Sequence, residues 1–198
     1  NPALQALATD LLIAEQLGNV DLIHSHTWYA NFAGLSGALL HGKPHIVSAH
    51  SLEPLRPWKA EQLGGGYRIS SWAEQSAYES ANAIIAVSDG MRSDVLRAYP
   101  NVDPTKVVTI RNGVDIEKFA PNFDPQIKSK LDSKYGINGR YAIFVGRITR
   151  QKGLAHLLRA WQSVSSDYGL VLAAGSPDEP GIGAEVEQLV TDLQRTRK

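Results

Sequence analysis

The chain has 198 residues, of which 43% are hydrophobic, and its twenty basic residues balance twenty acidic ones. This composition excludes a disordered chain, and the balanced charge favours neither nucleic acid nor an anionic membrane surface as a partner, so any anion site has to be local. No cysteine is present, which excludes disulfides, thiol nucleophiles and cysteine-bound metals, and without a long apolar span or a signal-like segment we expect a soluble, cytoplasmic protein.

Short apolar runs rich in β-branched residues alternate with longer segments of helical period. Continuous apolar runs of this kind are typical of parallel strands that are covered on both faces. The predicted strands are Leu22–Ser25, His45–Ala49, Ala83–Val87, Val107–Ile110, Ala142–Val145 and Leu170–Ala174. The predicted helices are Ala3–Leu17, Ala30–His41, Ile69–Ser80, Asp89–Tyr99, Gly153–Ser165 and Gly183–Arg195. The alternation predicts a doubly wound α/β fold with right-handed crossovers.

A charged segment with two prolines interrupts the alternation between Gly113 and Arg140. We interpret it as a connection in which Ile127–Tyr135 forms a short helix. The chain would then comprise one α/β unit (1–112), a connection (113–140) and the first part of a second α/β unit (141–198), as in a central piece of a two-domain protein. Because two parallel strands cannot bury both faces of a sheet, and because the first part opens directly in a helix, we expect both domains to be incomplete.

The stretch "FVGRITRQKG", Phe144 to Gly153, concentrates positive charge after the fifth predicted strand. Arg147 follows the carboxyl end of that strand, where the ligands of open α/β sheets bind. Lys152 opens the next helix, whose unpaired N–H groups favour an anion. An arginine can form paired hydrogen bonds to phosphate oxygens, and a lysine adds a point charge. The stretch therefore indicates a phosphate site, although it lacks the spacing of a Walker loop, and an ordinary solvated loop is the alternative.

The stretch "HSHTWYA" ends the first predicted strand. His24 and His26 share one face of the strand and could bind one metal, but no carboxylate or third histidine completes a convincing ligand set. One alternative is a core histidine followed by a hydrogen-bonded loop histidine. The other is a sugar cleft, in which Trp28 and Tyr29 offer flat apolar faces and His26 a polar tip.

The stretch "SAHSLEPLRPWK", Ser48 to Lys59, is too polar and too rich in proline for a helix or a strand, and we interpret it as a loop. His50 lies at the tip of the preceding strand, and we interpret it as a residue that contacts substrate, with a buried structural histidine as the alternative. A serine hydrolase is disfavoured because no GxSxG motif occurs.

Two further strand ends carry less information. "IRNGVD" is compatible with a simple turn. "AAGSPDEPGIG" lacks the third glycine of a dinucleotide-binding fingerprint, which disfavours a nicotinamide-dependent oxidoreductase. Asp178 and Glu179 are adjacent rather than opposed, so a glycosidase pair cannot be inferred from them.

Taken together, six blocks along the chain resemble the retaining GT-B glycosyltransferases of family 4, and in particular the actinobacterial-type glycogen synthases. The blocks are "HSHTWYA", "AHSLEPLRPWKAEQLGGGY", "AVSDGMRSDV", "IRNGVDIEKFAP", "FVGRITRQKGL" and "LAAGSPDEP". The resemblance implies two Rossmann-like domains that face a cleft, with ADP-glucose held mainly by the C-terminal domain and the acceptor by the N-terminal one. Residues 1–112 would be the C-terminal part of the N-terminal domain, 113–140 the interdomain connection, and 141–198 the first part of the C-terminal domain.

The resemblance also implies roles for individual residues. Arg147 and Lys152 match the pair that binds the nucleotide diphosphate, and His50 matches the histidine that contacts the donor sugar near its reacting carbon; we expect these three to be catalytic. Further donor contacts would come from Asn112, Gly113, Gly175 and Ser176. The acceptor and sugar cleft would be bordered by His26, Thr27, Trp28, Ser51 and Arg68.

The implied activity is transfer of glucose from ADP-glucose, with retention, to an α-1,4-glucan or to glucose 1-phosphate. The resemblance implies no cofactor and no obligatory metal, and we expect no nucleic acid or membrane partner. Two family motifs, a glycine-rich loop and a pair of glutamates, would fall outside residues 1–198, so we expect these residues alone to bind donor poorly and to be inactive. The alternatives are a non-catalytic module that binds sugar nucleotide or glucan on the same scaffold, and a family 4 glycosyltransferase with another sugar donor.

Overall fold

A computed structural model describes residues 1–56, 58–121, 124–137 and 139–196. The chain divides into two compact units, Asn1–Ile116 and Glu117–Lys198. Each unit contains a parallel sheet and a core of its own, and each is described by itself.

The first unit is built on a four-stranded parallel sheet with the order β1-β2-β3-β4. The strands are β1 (Ile23–His26), β2 (His45–Ala49), β3 (Ala83–Ala86) and β4 (Val107–Thr109). The helices are α1 (Pro2–Glu15), α2 (Trp28–His41), α3 (Lys59–Leu63), α4 (Gly66–Ser80) and α5 (Asp89–Ala98).

The core of the first unit lies between the apolar strands and the helices that follow them. Val47 and Ile84 contribute from β2 and β3, and Tyr78 and Tyr99 pack against each other with their ring centroids 5.1 Å apart. Helix α5 begins directly after β3 because the Ser88 hydroxyl accepts a hydrogen bond from the backbone N–H of Met91 at 3.0 Å. Only two residues therefore separate the end of β3 from the start of α5.

The second unit pairs β5 (Arg140–Ile148) with β6 (Tyr168–Pro177) in a two-stranded parallel sheet. Its helices are α6 (Pro125–Tyr135), α7 (Leu154–Trp161) and α8 (Pro180–Thr196). The apolar sides of α7 and α8 form its core, with Leu154, Leu158, Ile182, Val186 and Leu193.

The outer face of this two-stranded sheet is open among the described residues. Ile143 is 57% exposed and Val145 is 73% exposed. Helix α6 was predicted within the connection 113–140, and it belongs to the second unit. The division into an N-terminal domain, a connection and a C-terminal domain stays a prediction.

The α/β class with parallel sheets is confirmed, and each predicted strand overlaps an observed one. Two expectations need correction. The segment Ser48–Lys59 was predicted to be a loop throughout, but a 3₁₀ turn spans Glu53–Leu55 and α3 begins at Lys59. Strands β5 and β6 also extend further than predicted, because the backbone pairing begins at Arg140 and Tyr168 and, after a shift in register, reaches Ile148 and Pro177. Among the described residues, no helix combines the length and the apolar character that a membrane crossing would need.

Candidate functional site

In the first unit, the carboxyl ends of β1 and β2 bring three imidazoles together. His26 ends β1 and His50 follows β2, and the two strands are neighbours in parallel register. The Nδ1 atom of His26 lies 2.8 Å from the Nε2 atom of His50, and their rings stack with centroids 5.1 Å apart. One of these two nitrogens has to donate its N–H and the other has to accept it, so the tautomer of His26 and that of His50 depend on each other. If both rings were protonated, neither nitrogen could accept and this hydrogen bond would be lost.

His24 lies beside this pair on the same face of β1. Its ring centroid is 4.4 Å from that of His26, and its Nε2 atom lies 2.9 Å from the Ser48 hydroxyl. Partial burial, together with the neighbouring imidazoles, lowers the pKa of His24. We call His24, His26 and His50 the histidine cluster.

The suggestion of a core histidine within "HSHTWYA" is wrong, since His24 and His26 both face outward. The core histidine is His45, whose Nε2 atom lies 2.7 Å from the Ser25 hydroxyl. Burial lowers the pKa of His45 to about 4. Over residues 1–56, 58–121, 124–137 and 139–196, no three histidine or acidic side chains are arranged to hold a metal ion.

Thr27 joins the end of β1 to the start of α2 in an unusual conformation. Its φ of 65° and ψ of 158° lie in a region that is nearly reserved for glycine, and its hydroxyl donates to the backbone carbonyl of His26 at 2.5 Å. This conformation allows the strand to end and the helix to begin with Thr27 alone between them.

The two aromatic residues after Thr27 differ in their exposure. Trp28 is only 9% exposed and contributes to the core, whereas Tyr29 is 59% exposed. Of the two flat faces that the sequence suggested for a sugar, the structure therefore offers mainly that of Tyr29.

Ser51, in the loop after β2, and Arg68 were both expected to border the acceptor cleft, but no hydrogen bond joins them among the described residues. Arg68 is exposed on α4. The cation that contacts Ser51 is Arg56, whose Nη1 atom donates to the Ser51 hydroxyl at 3.3 Å and lies 3.5 Å from a carboxylate oxygen of Glu53. The prediction missed Arg56 because a choice between two arginines depends on how the loop folds.

Two buried carboxyl groups anchor this loop. Glu53 accepts a hydrogen bond from the Ser70 hydroxyl at 2.8 Å, and its own backbone N–H donates to Glu74 Oε1 at 2.7 Å. Glu74 also accepts from the Tyr99 hydroxyl, and burial raises its pKa to about 7. The sequence analysis missed this pair, although Glu74 falls on the apolar face of a predicted helix, which was a usable signal.

In the second unit, the basic turn consists of Arg147, Arg150 and Lys152. Arg147 is the penultimate residue of β5, so it lies within the strand rather than after it, next to an irregularity in the pairing with β6. Arg150 and Lys152 belong to a 3₁₀ turn that Thr149 caps by accepting the Lys152 N–H at 3.3 Å. The helix after the turn begins at Leu154, one residue later than predicted.

This turn has the features of an anion site. Gly153 has a φ of 67°, a conformation that favours glycine, and it ends the 3₁₀ turn and caps α7. The first N–H groups of an α-helix have no partner within the helix, and its dipole favours negative charge there. Arg147 and Lys152 are both exposed, so their positive charges are accessible to a ligand.

The remaining predicted donor residues lie in both units. Gly175 and Ser176 are exposed and form part of the end of β6, not a loop, because β6 runs on to Pro177. Asn112 and Gly113 are exposed in the segment after β4, in the first unit. The structure thus groups His26 with His50 in one unit, and the Arg147 turn with the end of β6 in the other.

Comparison with known proteins gives a family and several relatives. A family model described as "Glycosyltransferase Family 4" matches residues 2–118. The chain is 50% identical over 199 aligned positions to proteins named α-maltose-1-phosphate synthase from Mycolicibacterium smegmatis and from Mycobacterium tuberculosis. In both cases the match covers 100% of this chain and 51% of the relative. The chain therefore spans about half the length of these curated relatives.

Among solved structures, Anabaena Alr3699/HepE in complex with UDP-glucose superposes with a TM-score of 0.77. The match covers 93% of this chain and 48% of the Anabaena chain, at 21% sequence identity. At 21% identity, the superposition supports the fold alone. The expected GT-B type of α/β fold is thereby confirmed.

Proposed function

The chain belongs to glycosyltransferase family 4, and from that premise we propose that the full-length protein transfers glucose, with retention, from ADP-glucose to glucose 1-phosphate or to an α-1,4-glucan. The observation that carries the proposal is the basic turn, where Arg147 at the end of β5 and Lys152 in the 3₁₀ turn both precede the start of α7. The identity of 50% to two proteins named α-maltose-1-phosphate synthase supports this choice of sugar and acceptor.

In this proposal the basic turn binds the diphosphate of the sugar nucleotide. The acceptor's hydroxyl oxygen bonds to the anomeric carbon and gives up its proton, the bond between that carbon and the diphosphate breaks, and the leaving diphosphate gains negative charge. Arg147 and Lys152 then stabilise the transition state more than the ground state, which is the condition for accelerating the reaction. The end of β6, with Gly175 and Ser176, would border the same site. The proposal includes no cofactor and no metal, since these two cations neutralise the leaving group.

The histidine cluster would bind the donor sugar. His50 would donate to or accept from a sugar hydroxyl near the reacting carbon, and His26 would fix the tautomer of His50 through their hydrogen bond of 2.8 Å. Tyr29 would offer an exposed apolar face to a sugar ring. Ser51 and Arg56, which are hydrogen-bonded to each other, would receive the phosphate of glucose 1-phosphate. Thr27 would act through its backbone by placing His26, and Asn112 and Gly113 would contribute to donor binding.

The experiment gives the full-length protein ADP-glucose or UDP-glucose with each acceptor in turn and identifies the products by mass. The expected product with ADP-glucose and glucose 1-phosphate is the acceptor enlarged by one hexosyl residue. Faster transfer from UDP-glucose would overturn the choice of donor. Binding of ADP-glucose without any product would support a non-catalytic binding module in place of an enzyme.

A further inference from the structure

Acidic residues after β6 contact the basic turn. The Nη1 atom of Arg147 donates to both carboxylate oxygens of Asp178, at 2.9 and 3.0 Å, and the Nε atom of Arg150 lies 3.7 Å from a carboxylate oxygen of Glu179. We call Asp178 and Glu179 the acidic clasp. Their negative charges lie directly beside the proposed diphosphate site.

The backbone holds the clasp in this position. Ile148 pairs with Pro177 in the sheet, and the N–H of Asp178 donates to the carbonyl of Ile148 at 3.1 Å. The strand pairing therefore places Asp178 opposite the end of β5, and this position does not depend on the contacts of its side chain. Substitution of the side chain should leave this backbone arrangement intact.

Stability does not account for the Arg147–Asp178 pair. The Arg147 side chain is 70% exposed and that of Asp178 is 43% exposed, and ion pairs with such exposure contribute little to folding. The same contact has a direct effect on an anionic ligand, however. A carboxylate oxygen and a phosphate oxygen satisfy the same guanidinium N–H groups, so they compete for Nη1.

We propose that Asp178 sets the affinity of the donor site, because its carboxylate occupies Nη1 of Arg147 in the empty site and yields to a phosphate oxygen when the diphosphate binds. The inference rests on the proposed function, since it requires that Arg147 binds phosphate. The diphosphate has to break the Arg147–Asp178 contact before it can bind Nη1, and this exchange removes part of the free energy of binding. Asp178 thus weakens the binding of ADP and favours its release.

The experiment titrates the full-length protein with ADP by isothermal titration calorimetry. Asp178→Asn removes the charge and preserves the size of the side chain, and we expect it to tighten ADP binding about fivefold. Glu179→Gln should have a smaller effect, since Arg150 and Glu179 are farther apart. The matched control is Glu185→Gln, which breaks the exposed pair between Arg159 and Glu185 and should leave the affinity unchanged.

Arg147→Ala separates this inference from the proposed function. If Arg147→Ala leaves ADP affinity unchanged, the assignment of the diphosphate site to the basic turn is wrong. If Arg147→Ala weakens binding while Asp178→Asn fails to tighten it, only the role of Asp178 is overturned. Asp178→Asn should also lose most of its effect in the Arg147→Ala background, and an undiminished effect there would contradict competition for Nη1.

Discussion

At the scale of the residue, Thr27 combines a β-branched side chain with a backbone conformation that glycine adopts at little cost. With a φ of 65° and a ψ of 158°, it occurs between His26 and the first residue of α2. Such strain costs on the order of 1–3 kcal/mol and persists only where the surroundings impose it. Its position beside the histidine cluster indicates that the strain places His26.

We predict that Thr27→Gly is more stable than Thr27→Ala by about 1 kcal/mol, because both variants lose the hydroxyl but only glycine relieves the strain, less its own entropic cost. The measurement is the free energy of unfolding of the two variants in urea. Equal stability of the two variants, or a less stable glycine variant, would show that the conformation is not strained.

The buried Glu74 makes stability depend on pH. Its pKa rises from 4.5 to about 7 in the folded protein, so the folded state retains a proton that the unfolded chain releases. The protonated Glu74 therefore contributes to the free energy of unfolding. This contribution is fully present below pH 4.5 and is lost as pH rises through 7.

Glu74→Gln should therefore remove part of the pH dependence of stability. Between pH 5 and pH 8, we expect the wild type to lose about 2 kcal/mol relative to the variant. The comparison between the two proteins is needed because two other groups also make stability depend on pH in this range. The pKa of Asp10 rises to about 6 in the folded protein, and the pKa of His45 falls from 6.5 in the unfolded chain to about 4. Urea unfolding of both proteins at the two pH values provides the test, and parallel pH profiles would show that Glu74 is ionised throughout.

At the scale of the element, α2 packs closely over β2 at a single glycine. A Cβ atom built on Gly34 would lie 2.2 Å from His45 Nε2, and His45 is buried and bound to Ser25. To relieve this overlap, either α2 or the His45 ring would have to move, and the contact between His45 and Ser25 would break.

Gly34→Ala should cost about 3 kcal/mol or more of folding free energy. The control is Gly90→Ala in α5, where the nearest atom to the added Cβ would be the Ser88 hydroxyl at 3.7 Å. Since alanine is the better helix former, the control should be neutral or slightly stabilising. If the two variants had equal thermal midpoints, the close packing of α2 on β2 would be contradicted.

The elements were predictable wherever an apolar run marked them, as in β2, where the predicted and observed bounds coincide. The ends of β5 and β6 were not, because the pairing extends to Arg140 and Tyr168 at one end and, past a break in register beside Arg147, to Ile148 and Pro177 at the other. Helix α3 was missed because prolines precede it, and they gave the whole stretch the composition of a loop.

The site was predictable in its residue types but not in its contacts. The sequence singled out His26, His50 and Arg147, because strand ends collect ligands in parallel sheets. It could not reveal that Arg147 contacts Asp178, since 31 positions separate them and only the pairing of β5 with β6 brings them together. The contact between His26 and His50 has the same origin in the pairing of β1 with β2.

At the scale of the whole molecule, the net charge is zero, so an anionic ligand can be attracted only by a local group of positive charges. The first unit contains the histidine cluster and the second contains the basic turn, and each is built on the strand ends of its own sheet. We therefore expect the activity of the full-length protein to depend on residues of both units. The central claim is that Arg147 and Lys152 bind the diphosphate that leaves the sugar.

The rate of glucosyl transfer from ADP-glucose by the full-length protein tests this claim most directly. Arg147→Ala and Lys152→Ala should each reduce kcat/KM on the order of 100-fold, which corresponds to about 3 kcal/mol of transition-state stabilisation. Arg159→Ala removes an exposed arginine of α7 from outside the basic turn and should retain the wild-type rate. Wild-type rates in the Arg147→Ala and Lys152→Ala variants would contradict the claim.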